Sequence, residues 1–422
     1  MKRLRSYLET LAIPILATIL GLAVSSIFIL SAGVSPTETF SRLFCEGFGS
    51  RGCETIDDLL FVEIEDEDTG EIVTHFAPFY GERGHSIALA LERATPLILT
   101  ALSATVAFKA GMFSIGMDGQ LVLGAVVATV IGYGLPDQIY MIAGIEDPDL
   151  VVGLPRVLMQ ITVPALAMGA AMIVGAFYSW IAGYLKVKLN VNELISTIVL
   201  NAIAVQLVGY LINFPLRADL NNVARTHRID DTAWLIPFSR GLFDNVEWFS
   251  GSRLGIGFVI ATIAGILIWM FLWRTKAGYE QRMAQGAPKF AKFGGIPADR
   301  AIIRAMLISG ALSGLAGAIQ ILGVERRIVD GFAGSATGFD GVLIAILAQE
   351  SIMGIFIVAT LFAGLQLGAI NLQFGNIPRQ LGSMIIALII LFTSMEDYFR
   401  DIFTRLRLRL DPSASKSKRK NE

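Results

Sequence analysis

Long apolar stretches, separated by charged or glycine-rich segments, set the pattern of this chain. Residues 11–37, 157–185, 194–216, 254–273 and 305–324 contain no Asp, Glu, Lys, Arg or His. A helix needs roughly 20 apolar residues to cross a bilayer, and on that requirement the pattern predicts about ten spans. They fall near 10–32, 87–108, 112–134, 158–185, 191–213, 254–273, 304–323, 338–349, 352–372 and 380–396. The eighth is short and stops at Glu350, which reads as a half-helix or a re-entrant segment. The predicted fold class is therefore an all-α polytopic membrane protein.

Composition agrees with the pattern. Of 422 residues, 54% are hydrophobic and only 17% charged, where a soluble domain carries roughly 25% charged residues. The first apolar run follows Met1-Lys2-Arg3-Leu4-Arg5. It is too long for the apolar region of a signal peptide and has no clear small-residue cleavage site before Pro36, so it reads as a retained first span.

Charge sets the expected orientation. With the N-terminus inside, the inner segments hold Lys2, Arg3, Arg5, Lys109, Lys186 and Lys188, the basic loop 274–304 and the basic tail from Arg400 to Lys420. The opposite orientation places that loop and tail outside, against the positive-inside rule. Both termini are thus expected on the cytoplasmic side. Two long loops fall outside. Residues 33–86 carry the acidic run Glu63-Ile64-Glu65-Asp66-Glu67-Asp68, and 214–253 carry Trp234 and Trp248. A charge run of this kind reads as a solvated loop; a docking surface is the other reading for either loop. The two cysteines, Cys45 and Cys53, leave a disulfide and two free thiols both open. No Cys/His cluster suggests a metal site.

One phrase occurs twice. Gly116-Met117-Asp118-Gly119-Gln120-Leu121 opens the third span and Gly338-Phe339-Asp340-Gly341-Val342-Leu343 the eighth. Thr100-Ala101-Leu102-Ser103 precedes the first copy much as Gly310-Ala311-Leu312-Ser313 precedes the second. Met168-Gly169 and Met353-Gly354 open matching spans, and Asn192 and Asn376 precede the next pair. Spans 2–5 (87–213) therefore match spans 7–10 (304–396). The odd offset of five spans predicts two inverted repeats with broken helices. Such repeats place substrate sites near the midplane at the repeat interface. Ionisable and amide side chains inside the membrane are functional candidates by default: Ser114, Asp118, Gln120, Asn192, Glu193, Asn201, Gln206 and Asp340. Asp118 and Asp340 also read as caps on the half-helices they open. Gly310, Gly314, Gly317, Gly364 and Gly368 read as close helix packing.

In the loop 274–304, Tyr279 to Ala287 predicts a short helix ended or kinked by Pro288, and Gly294-Gly295 a turn. Three blocks then carry a resemblance. Phe113-Ser114-Ile115-Gly116-Met117-Asp118-Gly119-Gln120, the stretch from Val191-Asn192-Glu193 to Leu200-Asn201, and Ser309-Gly310-Ala311-Leu312-Ser313-Gly314-Leu315-Ala316-Gly317-Ala318 with Gly338-Phe339-Asp340-Gly341 are one set. Together they resemble the permease subunits of ATP-binding cassette importers, in the ribose- and nucleoside-type (branched-chain amino acid permease-like) branch. Ser114 stands where that family has Asn, and Asp118 where it has Glu. In the loop, Arg282, Pro288, Ala291, Gly294 and Gly295 fit the family pattern, while Gln285 and Ala287 depart from it.

The resemblance implies one transmembrane permease domain over 1–422 that translocates nucleosides or simple sugars by alternating access. It implies a coupling loop, with Gly278, Glu280, Arg282, Pro288, Ala291, Gly294 and Gly295, that receives a separate ATPase. The further partners implied are a second permease subunit, an extracytoplasmic solute-binding protein or lipoprotein, and membrane lipid, with no nucleic acid. The chain has no Gly-x-x-x-x-Gly-Lys-Ser/Thr phosphate loop, so it is not expected to be an enzyme. No cofactor is expected on this chain, and ATP is used by the partner subunit. The implied location is the prokaryotic plasma membrane. The alternative class is an ion-coupled secondary transporter for a small polar solute.

Overall fold

The computed structural model describes residues 19–49, 60–65, 72–76, 82–145, 153–218, 223–239, 252–286, 288–375 and 377–395. Cys53, Trp248, Ala287, Asn376, residues 66–68 of the acidic run and both charged termini lie outside the described residues. The chain divides into two compact units. One joins Met1–Pro78 to Leu365–Glu422, and the other is Phe79–Gly364.

The first unit opens with α1 (Ile19–Ser31) and α2 (Pro36–Phe48), which meet at 113°. Pro36 starts α2, where its missing N–H costs nothing. Hydropathy marks 33–86 only as a loop. Its described part holds α2 and a two-stranded antiparallel hairpin, β1 (Phe61–Glu65) and β2 (Ile72–Phe76), with Phe61 opposite Phe76. Gly368 packs directly on the backbone of Leu43, and Asn371 Nδ2 donates to the Glu46 carbonyl at 3.3 Å. Cys45 is fully buried and disulfide-bonded.

The second unit is helical. It contains α3 (Glu82–Phe108), α4 (Met117–Ala143), α5 (Leu154–Leu189), α6 (Glu193–Asn213) and α7 (Ile256–Arg274). Two short helices follow, α8 (Lys276–Gly286) and α9 (Pro288–Phe293), then α10 (Ala298–Ile319) and α11 (Thr337–Leu347). The next helix, α12 (Ile352–Asn371), runs on into the first unit, which ends its described part with α13 (Arg379–Ser394). Seven helices among the described residues are long and apolar enough to cross a membrane: α3–α7, α10 and α12. The bent pair α1–α2 passes the same test jointly, and α11 and α13 belong to shorter apolar helices.

Burial separates centre from periphery. In α3, 78% of the apolar window is buried, against 28% in α5, α6 and α7. The exposed side chains of those three are Ile173, Phe177, Ile198, Ile203, Ile263 and others as apolar. That is the composition of a surface facing lipid tails rather than water. In a bilayer the hydrophobic effect does not drive helices together, so small residues must let backbones approach. α10 does this on two sides. Gly310 and Gly314 lie against the backbone of Gly175 and Ala171 on α5, and Gly317 against Leu121 on α4. A Cβ on Gly124 would stand 2.6 Å from the Gly314 carbonyl oxygen.

The loop after α7 differs in detail from its sequence reading. The helix begins at Lys276, capped by Thr275 Oγ1, which accepts the Gly278 N–H at 3.0 Å. Pro288 opens a second helix instead of merely ending the first, because proline is tolerated in a first helical turn. Gly295 supplies the turn with φ +77°.

Candidate functional site

Two helices of the second unit start at breaks in the helical path. α11 has only 11 residues, about 16 Å at 1.5 Å per residue, or roughly half of a 30 Å hydrocarbon core. α4 begins after a non-helical stretch, 112–116, that follows the turn at Gly111. Irregular backbone in a membrane must find its hydrogen bonds within the protein. α6 provides them. Asn201 Nδ2 donates to the Ile115 carbonyl at 2.7 Å, and its Oδ1 accepts the Gly119 N–H at 2.9 Å. Thr197 Oγ1 accepts the Ile115 N–H at 3.3 Å. Ser114, fully buried, accepts the Gly116 N–H at 3.2 Å.

The two broken starts meet. Asp118 Oδ1 accepts the Gly338 N–H at 2.7 Å. The α11 N-cap position, Ala336, offers no side-chain bond, so a carboxylate from α4 serves a donor that α11 leaves free. Asp118 was expected to cap its own helix. The N-cap there is Gly116, without a side-chain bond, and the carboxylate crosses to the other copy of the phrase. The electrostatics favour this. Each helix N-terminus carries a partial positive charge, and two of them facing each other need a negative group between them. Gly338 packs against the Met117–Asp118 backbone so closely that a Cβ would lie 2.6 Å from the Met117 carbonyl carbon.

The structure thus brings Ser114, Asp118, Gln120 and Asn201 together around the start of α4. Gln120 is buried, and its Oε1 has no partner among the described residues. Asp340 sits half-buried in the first turn of α11. The other candidates lie elsewhere. Asn192 is exposed and caps α6 through the Leu194 N–H at 2.9 Å. Glu193 pairs with Lys186 at 2.7 Å. Gln206 is exposed on the α6 face that also carries Ile203 and Leu207.

A buried hydroxyl cluster was not singled out from sequence. Ser103 Oγ on α3 donates to the Ser309 carbonyl at 2.7 Å and lies 3.0 Å from Ser313 Oγ on α10. The available signal was the shared Ala-Leu-Ser, Ala101-Leu102-Ser103 and Ala311-Leu312-Ser313, ahead of the two copies of the phrase.

Residues of the loop 274–304 form a second group. Gln281 on α8 is fully buried and donates to the Val106 carbonyl of α3 at 2.7 Å. Arg304 donates to the Ala277 carbonyl at 2.6 Å and lies 3.5 Å from Glu280. The Arg282 guanidinium stacks 4.1 Å over the Trp273 ring. Gly278 packs on the Leu272 backbone. Ala291 is buried, whereas Phe290 and Phe293 are 78% and 92% exposed.

A family described as the permease component of a branched-chain amino acid transport system matches residues 86–394. The chain belongs to this family. It is a multi-pass protein of the prokaryotic plasma membrane. The guanosine ABC transporter permease protein NupP of Bacillus subtilis is 28% identical over 95% of this chain and 97% of its own length. The nucleoside ABC transporter permease protein NupB of Lactococcus lactis is 28% identical over 91% and 90%. The glucose ABC transporter permease protein TsgB13 of Haloferax volcanii is 26% identical over 92% and 88%. No solved structure matches this permease.

One consequence concerns Asn201. Asn201→Leu strips two backbone groups of the broken segment of their partner, and each buried unsatisfied group costs about 1–3 kcal/mol. The permease is expected to unfold several degrees lower in a detergent thermal-shift assay, with Asn201→Asp intermediate because it keeps the acceptor and loses the donor.

Proposed function

We propose that this permease is the membrane-spanning subunit of an ATP-binding cassette importer for nucleosides, with simple sugars as the neighbouring substrate class. The observation that carries the reading is the meeting of two broken helix starts at Asp118 and Gly338, in a chain of this family. Paired interruptions in matching places of two halves are the mark of a transporter's binding region. The relatives named for guanosine and nucleosides cover almost the whole chain, and the glucose relative supports the second class. Ser114 and Asn201 are engaged by the backbone of the broken segment, and the Gln120 oxygen, without a partner among the described residues, is the neutral group there suited to an uncharged polar solute.

On this reading the chain has about ten spans, arranged as two inverted repeats, 87–213 and 304–396, with both termini cytoplasmic. The contacts support the inversion. Ser103 meets its counterpart Ser313, and the first Gly-x-Asp-Gly meets the second. Equivalent positions touch where a two-fold axis passes between them. The acids act first as architecture: Asp118 bridges the repeats, and Asp340 stands in the matching place.

A separate ATPase docks on α8 and α9, a second permease subunit completes the pore, and an extracytoplasmic binding protein delivers the solute. The ATPase contact is supported by Phe290 and Phe293, whose rings stand out from the loop. Exposed apolar side chains rimmed by polar residues mark partner sites. Substituting both by Ser is expected to reduce the ATPase recovered with the tagged permease roughly tenfold, in the range of an interface hot spot. Undiminished recovery contradicts the docking site.

A further inference from the structure

Beyond the docking loop, we infer that Lys109, Glu350 and Gln285 form the link that carries ATPase movement from α8 to both broken helix segments. The inference rests on the proposed docking of an ATPase at α8–α9. Lys109 is the first residue after α3 and leads into the non-helical stretch before α4. Glu350 follows α11 in the tight turn to α12. Their side chains pair at 2.6 Å and are only 20% and 23% exposed. One ion pair thus ties the entry to the non-helical stretch before α4 to the turn after α11.

α8 holds the same carboxylate. Gln285 Nε2 lies 3.3 Å from Glu350 Oε2 and 3.5 Å from Oε1. One turn earlier on the same helix face, Gln281 is fixed to the Val106 carbonyl of α3. Gly111, at φ +75°, brings its backbone beside Gln285, leaving a Cβ only 3.3 Å from the Gln285 Cα. A shift of α8 therefore acts on the turn before α4 and on the turn after α11 together.

The Glu350 turn is also conformationally unusual. Gln349 and Glu350 have φ of 50° and 57°. Two successive non-glycine residues in the left-handed region are disfavoured, and such backbone persists where the surroundings hold it. Lys109 and Gln285 hold the Glu350 side chain, beside the backbone bonds from the Gln349 and Glu350 N–H groups to the Ile346 and Ala345 carbonyls. On this inference the turn relaxes when its partners move, as a two-state coupling element requires. The three residues are positioning residues and touch no solute in this account.

Hydrogen–deuterium exchange tests the link without knowing the substrate. The tagged permease is purified from its native membrane with its ATPase, and exchange is compared in nucleotide-free and ATP–vanadate-trapped complexes. In the wild type, 276–286 is protected by the ATPase, and trapping changes exchange at 112–119 and 337–347. In Lys109→Gln and Glu350→Gln, protection of 276–286 persists, and the trapping response at the two broken segments falls roughly tenfold, a size common for allosteric coupling. The double reversal Lys109→Glu with Glu350→Lys restores at least half of it. Full response in the single variants, or no recovery in the reversal, overturns the link. Absence of protection at 276–286 in the wild type overturns the docking reading itself, and the link with it.

Discussion

Asp118→Ala is expected to cut ATP-driven uptake roughly ten- to a hundredfold, the scale of a loss of about 1–3 kcal/mol from one unserved buried N–H. The substitution removes the acceptor that α4 offers to Gly338. It also removes the negative charge between two helix N-termini, a further contribution of about 0.3–2 kcal/mol. Asp118→Asn keeps a neutral acceptor at the same place, so it should retain most of the thermal stability and an intermediate rate. Uptake into proteoliposomes, read beside a detergent melting curve, separates the two variants. This ordering also bears on the competing class. Were Asp118 an ion-coupling carboxylate, Asn would be as damaging as Ala, because neither carries a proton or binds a cation.

Gly314→Leu should have the largest effect on the fold. Gly314 lies against the Ala171 carbonyl on one side, and Gly124 of α4 lies against its backbone on the other. No rotamer of a leucine escapes, since the obstruction begins at Cβ and consists of backbone. Overpacking in a well-filled core costs about 1–3 kcal/mol when neighbours can shift; here two helices must separate. Little monodisperse protein is expected by size-exclusion chromatography. Gly209→Leu is the control, because a Cβ there meets nothing within 4 Å and recovery should match the wild type.

The seven long spans were legible because hydropathy over roughly 20 residues is a property of composition. The glycines of α10 were legible as packing, since regularly spaced small residues have little other use in a span. The bend between α1 and α2 and the hairpin were not: both lie in a stretch that hydropathy marks only as a loop. The site was legible in part. The repeated phrase pointed to the two broken segments, and Ser114, Gln120 and Asn201 do gather at one of them. The partner of Asp118 was not legible, because 220 residues separate it from Gly338 and a local cap was the nearest chemistry in sequence. Gln206 looked alike in sequence and lies on an exposed face, since a helix of nearly uniform hydropathy does not show which side is covered. The departure at Gln285 was visible as a mismatch to the family pattern. Its bond to Glu350 was visible only in the structure.

The most direct measurement is uptake of radiolabelled guanosine by proteoliposomes that contain the permease with its ATPase, its partner permease and its binding protein. Accumulation is expected to require ATP on the ATPase side and to be indifferent to proton or Na⁺ gradients. Gradient-driven accumulation by the purified permease alone, without ATP, would contradict that expectation.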